Sequence, residues 1–133
     1  MKYLLDTNIC IHFFRWSFNL ADKIEEVGLN NCVVSEITLA ELVFGAENSK
    51  FPEKNYKLIE IFSEQVVILP ILGAIHHYGK QKVKLRKKGK MISDFDLLIG
   101  TTAIANDLIM VTENIKEFNR IENIVIENWV ERT

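Results

Sequence analysis

Cysteine, proline and unbroken apolar sequence are all scarce in this chain of 133 residues. Its two cysteines, Cys10 and Cys32, sit beside apolar residues. That pattern excludes a disulfide-dense secreted framework and fits reduced, buried thiols in a cytoplasmic protein. The longest apolar run, Val66 to Ile75, is interrupted by Pro70 and Gly73. It falls far short of the roughly 20 residues that a membrane-spanning helix needs, so no membrane association is expected. The N-terminus enters Tyr3-Leu4-Leu5-Asp6 with no cationic region, apolar span or small-residue cleavage site, and no targeting segment is expected. Repeats, low-complexity tracts and linkers are also missing. One domain, 1–133, is therefore expected, large enough to bury roughly 68% of the unfolded chain's surface.

Charge is present but unevenly spread. The formal net charge is −2. Lys80, Lys82, Lys84, Arg86, Lys87, Lys88 and Lys90 place seven of the sixteen basic residues in eleven positions that contain no acid. The rest of the chain carries nine basic and eighteen acidic residues, a balance of −9. A concentrated basic patch is the electrostatic footprint of a polyanion site, whatever the whole-chain charge. The same run also suits a solvated helix end.

The acids are more informative. Asp6 follows Tyr3-Leu4-Leu5; Glu41 lies between Leu39-Ala40 and Leu42-Val43-Phe44; Asp96, with Asp94 beside it, precedes Leu97-Leu98-Ile99. An ionised carboxylate removed from water costs several kcal/mol unless it finds a partner. Acids repeatedly embedded in core-like sequence suggest one shared purpose, most simply a divalent metal. Two carboxylates about 4 Å apart repel by about 4 kcal/mol at an effective dielectric of about 20, a penalty a cation removes. Oxygen ligands without convergent Cys or His favour Mg²⁺ or Mn²⁺ over Zn²⁺. His12, in an apolar segment, and the Lys-flanked His76 and His77 read as structural.

Short strands alternate with longer helices, the pattern of a parallel α/β sheet. The periodicity predicts strands over 3–6, 32–35, 66–69, 108–111 and 124–126, giving a mostly parallel five-stranded sheet with helices on both faces. Helices are predicted from Thr7 or Asn8 to Phe14, from Ser17 or Asn19 to Val27, and from Ser35 to Asn48. Three more are predicted, starting at Pro52, running over 71–88, and running from Ser93 or Asp94 to Asn106. In the third helix Ile37, Glu41 and Phe44 share one face, placing Glu41 in an apolar stripe. Phe13, Phe14, Phe44, Phe62, Phe95 and Phe118 are expected in the core, whereas Trp16 suits either a partner surface or a packed loop. Ligands of open parallel sheets gather beyond the carboxyl ends of the strands, where Asp6, Asp94, Asp96, Thr112 and Asn114 can meet.

At this point the chain resembles a known family. Leu4-Leu5-Asp6-Thr7-Asn8, Ser35-Glu36-Ile37-Thr38-Leu39-Ala40-Glu41-Leu42 and Asp94-Phe95-Asp96-Leu97-Leu98-Ile99-Gly100 with Ala103 are similar to the first three motifs of PIN-domain ribonucleases, in particular toxins of the VapC type. Val111-Thr112-Glu113-Asn114 with Glu117-Phe118 resembles the fourth motif, and Glu127-Asn128-Trp129 the family's common ending. The resemblance implies a PIN-like domain and a Mg²⁺-dependent endoribonuclease that cuts structured RNA, such as tRNA, to arrest translation. It also implies a homodimer and a cognate antitoxin that covers the acidic cleft. Asp6, Glu41 and Asp96 take the positions of the family's best-defined acids. At the fourth position, where many relatives have aspartate, this chain has Asn114.

Asp6 and Asp96 are assigned as direct metal ligands. Glu41 is either a ligand through water or the base toward attacking water. Thr112, Asn114, Asp94 and Asn8 are supporting residues, and the run from Lys80 to Lys90 is expected to hold the RNA backbone. Two other readings fit parts of the sequence. A haloacid-dehalogenase-like phosphohydrolase would use Asp6 as nucleophile, although its usual second aspartate is here Asn8. A non-catalytic RNA-binding or interaction domain would keep the acids for stability alone.

Overall fold

The computed structural model describes residues 1–132. Five strands, β1 (Tyr3–Leu5), β2 (Cys32–Ser35), β3 (Val67–Leu69), β4 (Ile109–Val111) and β5 (Ile126–Glu127), form one sheet in the order β3-β2-β1-β4-β5. Every pairing between them is parallel, with Leu4 opposite Val33 on one side and Met110 on the other. Around the sheet, among the described residues, are seven α-helices: α1 (Thr7–Phe14), α2 (Leu20–Val27), α3 (Glu36–Glu47), α4 (Pro52–Gln65), α5 (Ile75–Lys87), α6 (Asp94–Ala105) and α7 (Ile115–Phe118).

Both sheet faces are covered, so the strands are apolar apart from Ser35 and Glu127 at the carboxyl ends of β2 and β5, instead of alternating with polar residues. Side chains still alternate between faces. Tyr3, Leu5, Cys32, Val34 and Val111 pack with Ile9, Cys10, Leu20, Ile24, Leu42, Ala46, Ile59 and Phe62, drawn from α1 to α4. Leu4, Val33, Leu69 and Met110 point the other way, onto Leu85, Leu97, Ile99, Ala103 and Phe118 of α5, α6 and α7. Gly100 allows the close α6–α7 approach: a Cβ there would lie 2.4 Å from Ile121 Cδ1 and 3.3 Å from Phe118 Cδ1. Cys10 and Cys32 are free and buried.

The expected elements form with shifted ends. α2 starts at Leu20 because Trp16, Phe18 and Asn19 all adopt left-handed backbone, φ 57°, 57° and 54°. A 3-10 turn over Leu72–Ala74 precedes α5. The short α7 was not predicted, since its four residues are too few to show a period. Two aromatic expectations fail, for Phe44 is 71% exposed and Phe95 50% exposed. Among the described residues no helix is long and apolar enough to cross a membrane.

The chain builds outward from β1 to β3, then returns to β1's other side for β4 and β5. The strand order therefore reverses between β1 and β4, and the crevice beyond their carboxyl ends is where such sheets bind ligands.

Candidate active site beyond β1 and β4

Asp6 is the first residue past β1, Thr112 the first past β4, and both stand at that crevice. The Asp6 N–H donates to the Val111 carbonyl at 2.9 Å, extending the ladder by one bond. Its side chain is fixed at both oxygens: Oδ1 accepts the Thr7 N–H at 2.8 Å, capping α1, and Oδ2 accepts the Thr112 hydroxyl at 2.7 Å. Thr112 Oγ1 in turn accepts the Asn114 N–H at 2.9 Å. Asp6 is thus a buried carboxylate, 6% exposed, with one rotamer held by two elements distant in sequence.

Glu41 arrives from α3, whose first turn is capped by Ser35 accepting the Ile37 N–H at 3.1 Å. Its expected place in an apolar stripe with Ile37 and Phe44 is corrected. The buried face of α3 is Thr38, Leu42 and Ala46, spaced four apart, and Glu41 lies on its border, half-buried. It is turned toward α1, where Glu41 Oε1 accepts the Thr7 hydroxyl at 2.6 Å. Thr7 Oγ1 also lies 3.1 Å from Thr38 Oγ1. Thr7, which sequence reasoning treated only as a helix cap, therefore joins Asp6 through its backbone to Glu41 through its side chain. Asp96, half-buried at the third position of α6, donates its N–H to Ser93 Oγ at 3.2 Å.

The electrostatics of these acids are coupled. Burial pushes the Asp6 pKa up to about 6; the Thr112 and Thr7 hydrogen bonds oppose this, and the Asp96 and Glu41 charges add to it. Burial also raises Asp96, with Glu117 adding to the rise and Ser93 opposing it. None of Asp6, Glu41 and Asp96 forms an ion pair among the described residues. Nor does any group of three or more His, Cys, Asp or Glu there close to chelating geometry. The donor set is all oxygen, open and anionic, and suits a cation that keeps waters and binds through one or two carboxylates plus a phosphate, as Mg²⁺ does.

The remaining candidates are dispersed. Asn114 sits at the rim as the residue before α7, without a side-chain cap bond. Asp94 is held away, accepting Lys82 Nζ at 2.9 Å and the Tyr78 hydroxyl at 2.9 Å, and these donors lower its pKa. Asn8 is exposed on α1. Glu113, next to Thr112, faces Arg132 and lies 3.3 Å from His12 Nε2, which gives that histidine a structural role. The basic run does not form one face, because successive residues on α5 rotate by about 100°. Lys84 pairs with Glu122 at 2.8 Å, Lys82 with Asp94; Lys80, Arg86 and Lys87 are exposed around the helix, and Lys88 and Lys90 lie past its end.

Beside Glu41 opens a groove of about 520 Å³ between α1, α3 and α4, lined on its apolar sides by Ile11, Phe14, Trp16, Leu42 and Leu58. Trp16 is 83% exposed at its mouth. Its left-handed backbone, unusual for a bulky side chain, costs on the order of 1–2 kcal/mol.

The PIN domain family profile matches residues 3–124, nearly the whole described chain. The chain belongs to the PIN-domain family, among its VapC-type ribonucleases. This VapC-type chain is 39% identical over 132 residues to Ribonuclease VapC2 of Rickettsia felis, covering 97% of itself and 98% of that protein. It is 36% identical over 132 residues to the tRNA(fMet)-specific endonuclease VapC of Shigella flexneri, covering 97% of itself and 98% of the relative. Among solved structures it resembles VapBC2 of Rickettsia felis bound to a promoter DNA fragment, with a TM-score of 0.90 at 38% identity, covering 97% of this chain and 99% of that one. DNA-bound VapBC of Salmonella typhimurium gives the same TM-score at 34% identity, covering 97% of this chain and 98% of that one. Membership in this family decides against the dehalogenase-like and non-catalytic alternatives for the VapC-type chain.

Proposed function

We propose that this chain is a divalent-cation-dependent endoribonuclease toxin of the cytoplasm that hydrolyses phosphodiester bonds in tRNA or another structured RNA, and that a cognate antitoxin silences it. The observation that carries this reading is Asp6 at the strand-order switch, a carboxylate whose pKa is raised by burial with the Asp96 and Glu41 charges adding to the rise, and with no cationic side chain paired to any of the three among the described residues. The specific RNA class is supported by the name of the Shigella flexneri relative.

Asp6 and Asp96 are the residues that would hold Mg²⁺ or Mn²⁺. Bound there, the cation would supply Lewis-acid polarisation and charge neutralisation at the scissile phosphate. The protein's own contribution is preorganisation. Thr7 N–H and Thr112 hydroxyl fix both oxygens of Asp6, so its carboxylate needs no reorientation. Thr7 engages only one Glu41 oxygen, leaving Oε2 to take the proton of the attacking water, and we assign Glu41 that role. Asn114 supports the rim, Asp94 instead fixes Lys82 in an ion pair away from it, and the cations from Lys80 to Lys90 draw RNA toward the rim.

Purified chain, free of partner, is expected to cut tRNA with Mg²⁺ or Mn²⁺ and not in EDTA. Asp6→Asn and Asp96→Asn should each slow cleavage by roughly 10²-fold or more. No cleavage of tRNA or rRNA with either cation would overturn the proposal. The apolar groove leading to Glu41 suits an antitoxin segment with an apolar face and a basic side chain directed at the acids. A structure of the complex with no antitoxin atom near Asp6, Glu41 or Asp96 would refute that part. Homodimerisation is proposed from family resemblance, and a monomer mass by light scattering at micromolar concentration would contradict it.

A further inference from the structure

A second concavity, of about 520 Å³, lies between the end of α5 and α7 and is lined by Leu85, Lys88, Lys90, Lys116, Asn119 and Arg120. Its lining holds four cations, one amide and no acid. Leu85, 2% exposed, is the apolar member of the lining. Lys88, Lys90 and Lys116 form no ion pair among the described residues, whereas other cations nearby do: Lys84 with Glu122, and Arg120 with Glu117. Unpaired ammonium groups gathered around one hollow repel one another, and a multiply charged anion relieves that repulsion.

The position matters as much as the charge. Arg120 Nη1 donates to the Met91 carbonyl at 2.9 Å and to Glu117 Oε2 at 3.2 Å, pinning the wall of the hollow to the segment that enters α6. Glu117 is the acid whose charge bears on Asp96. The hollow therefore lies on the α7 side of α6, the helix that carries Asp96. Lys116, Asn119 and Arg120 belong to α7 and the turn after it, outside the basic run conspicuous in the sequence.

We infer that this hollow is a phosphate subsite for the RNA substrate, gripping a backbone phosphodiester to one side of the scissile bond and setting the strand's register over Asp6 and Asp96. It reads no base: lysine, arginine and amide donors recognise phosphate oxygens, which position a strand without specifying its sequence. The inference rests on the nuclease reading above, and deepens it.

The test is binding of fluorescent tRNA to the full chain in EDTA, where cleavage plays no part, between 50 and 300 mM KCl. Lys88→Gln/Lys116→Gln is compared with Lys50→Gln/Lys57→Gln, an equal charge change around the start of α4, outside both the basic run and the hollow. All four lysines are exposed, so the melting temperatures of both variants should match wild type. At 100 mM KCl the first pair should raise Kd about tenfold and lower the salt slope by about two, while the second changes Kd less than threefold. With Mg²⁺, KM should rise and kcat at saturating tRNA stay within twofold. Equal losses for the two pairs, or an unchanged Kd for the first, would overturn the subsite. So would a first pair that loses affinity for polyglutamate but not for tRNA, which would assign the hollow to an acidic protein. Failure of the nuclease reading shows separately, as wild-type protein that binds tRNA without cutting it.

Discussion

Replacing Asp6 by asparagine should make the metal-free protein more stable. Burial, reinforced by Asp96 and Glu41, raises the Asp6 pKa from 3.8 to about 6. A carboxyl with a raised folded-state pKa binds its proton more tightly folded than unfolded. Stability is thus fully present below pH 3.8 and falls as the pH climbs, until the loss is complete above about 6. The full loss corresponds to about 3 kcal/mol for this buried side chain. Asparagine keeps the Thr7 N–H bond but weakens the contact with Thr112, returning roughly 1 kcal/mol. At pH 7.5 in EDTA, Asp6→Asn should therefore gain about 2 kcal/mol and melt roughly 6–10 °C higher than wild type. At pH 4 the gain should vanish. Mg²⁺ at about 100 times its Kd should stabilise wild type by about 2.7 kcal/mol and the variant by much less. Calorimetry at the two pH values, with and without Mg²⁺, measures all of these. A variant that melts below wild type at pH 7.5, or a difference independent of pH, would refute the idea that these acids are held together against their own repulsion.

Three further outcomes follow from the contacts. Thr112→Val removes the hydroxyl that fixes Asp6 Oδ2, and cleavage should slow about 10–100-fold with the acid limb of the pH–rate profile moved to higher pH; an unchanged profile would remove Thr112 from the site. Gly100→Ala sets a methyl group against Ile121 and Phe118 in a packed core and should cost about 1–2 kcal/mol in urea denaturation, with wild-type stability counting against the close α6–α7 packing. Trp16→Ser, at an 83% exposed position, should leave the melting temperature nearly unchanged while weakening antitoxin binding in titration calorimetry, and undiminished affinity would direct the partner elsewhere.

The sequence by itself determined the architecture and singled out the acids proposed for the site. Alternating apolar strands and helices specify a parallel sheet, because only such strands must be buried on both faces. Asp6 and Asp96 stand out because each acid borders an apolar run, and helix capping explains each alone but not their recurrence. Where the reading erred, the deciding contacts lie far apart in the chain. Glu41 occupies the border of α3's buried face because Thr7, 34 residues earlier, supplies its partner. The basic run looks like one patch in the sequence, yet α5 rotates its members to different sides, and Lys88 and Lys90 share a concavity with Lys116 and Arg120 instead. The raised pKa of Asp6 likewise depends on burial at the end of β1 and on the charges of Asp96 and Glu41, brought in by α6 and α3, while Thr112, placed beside it by the β1–β4 pairing, opposes the rise. Patterns repeated every two or four residues can be read along a chain; which groups meet at the end of a sheet is settled only by the strand order that packing selects.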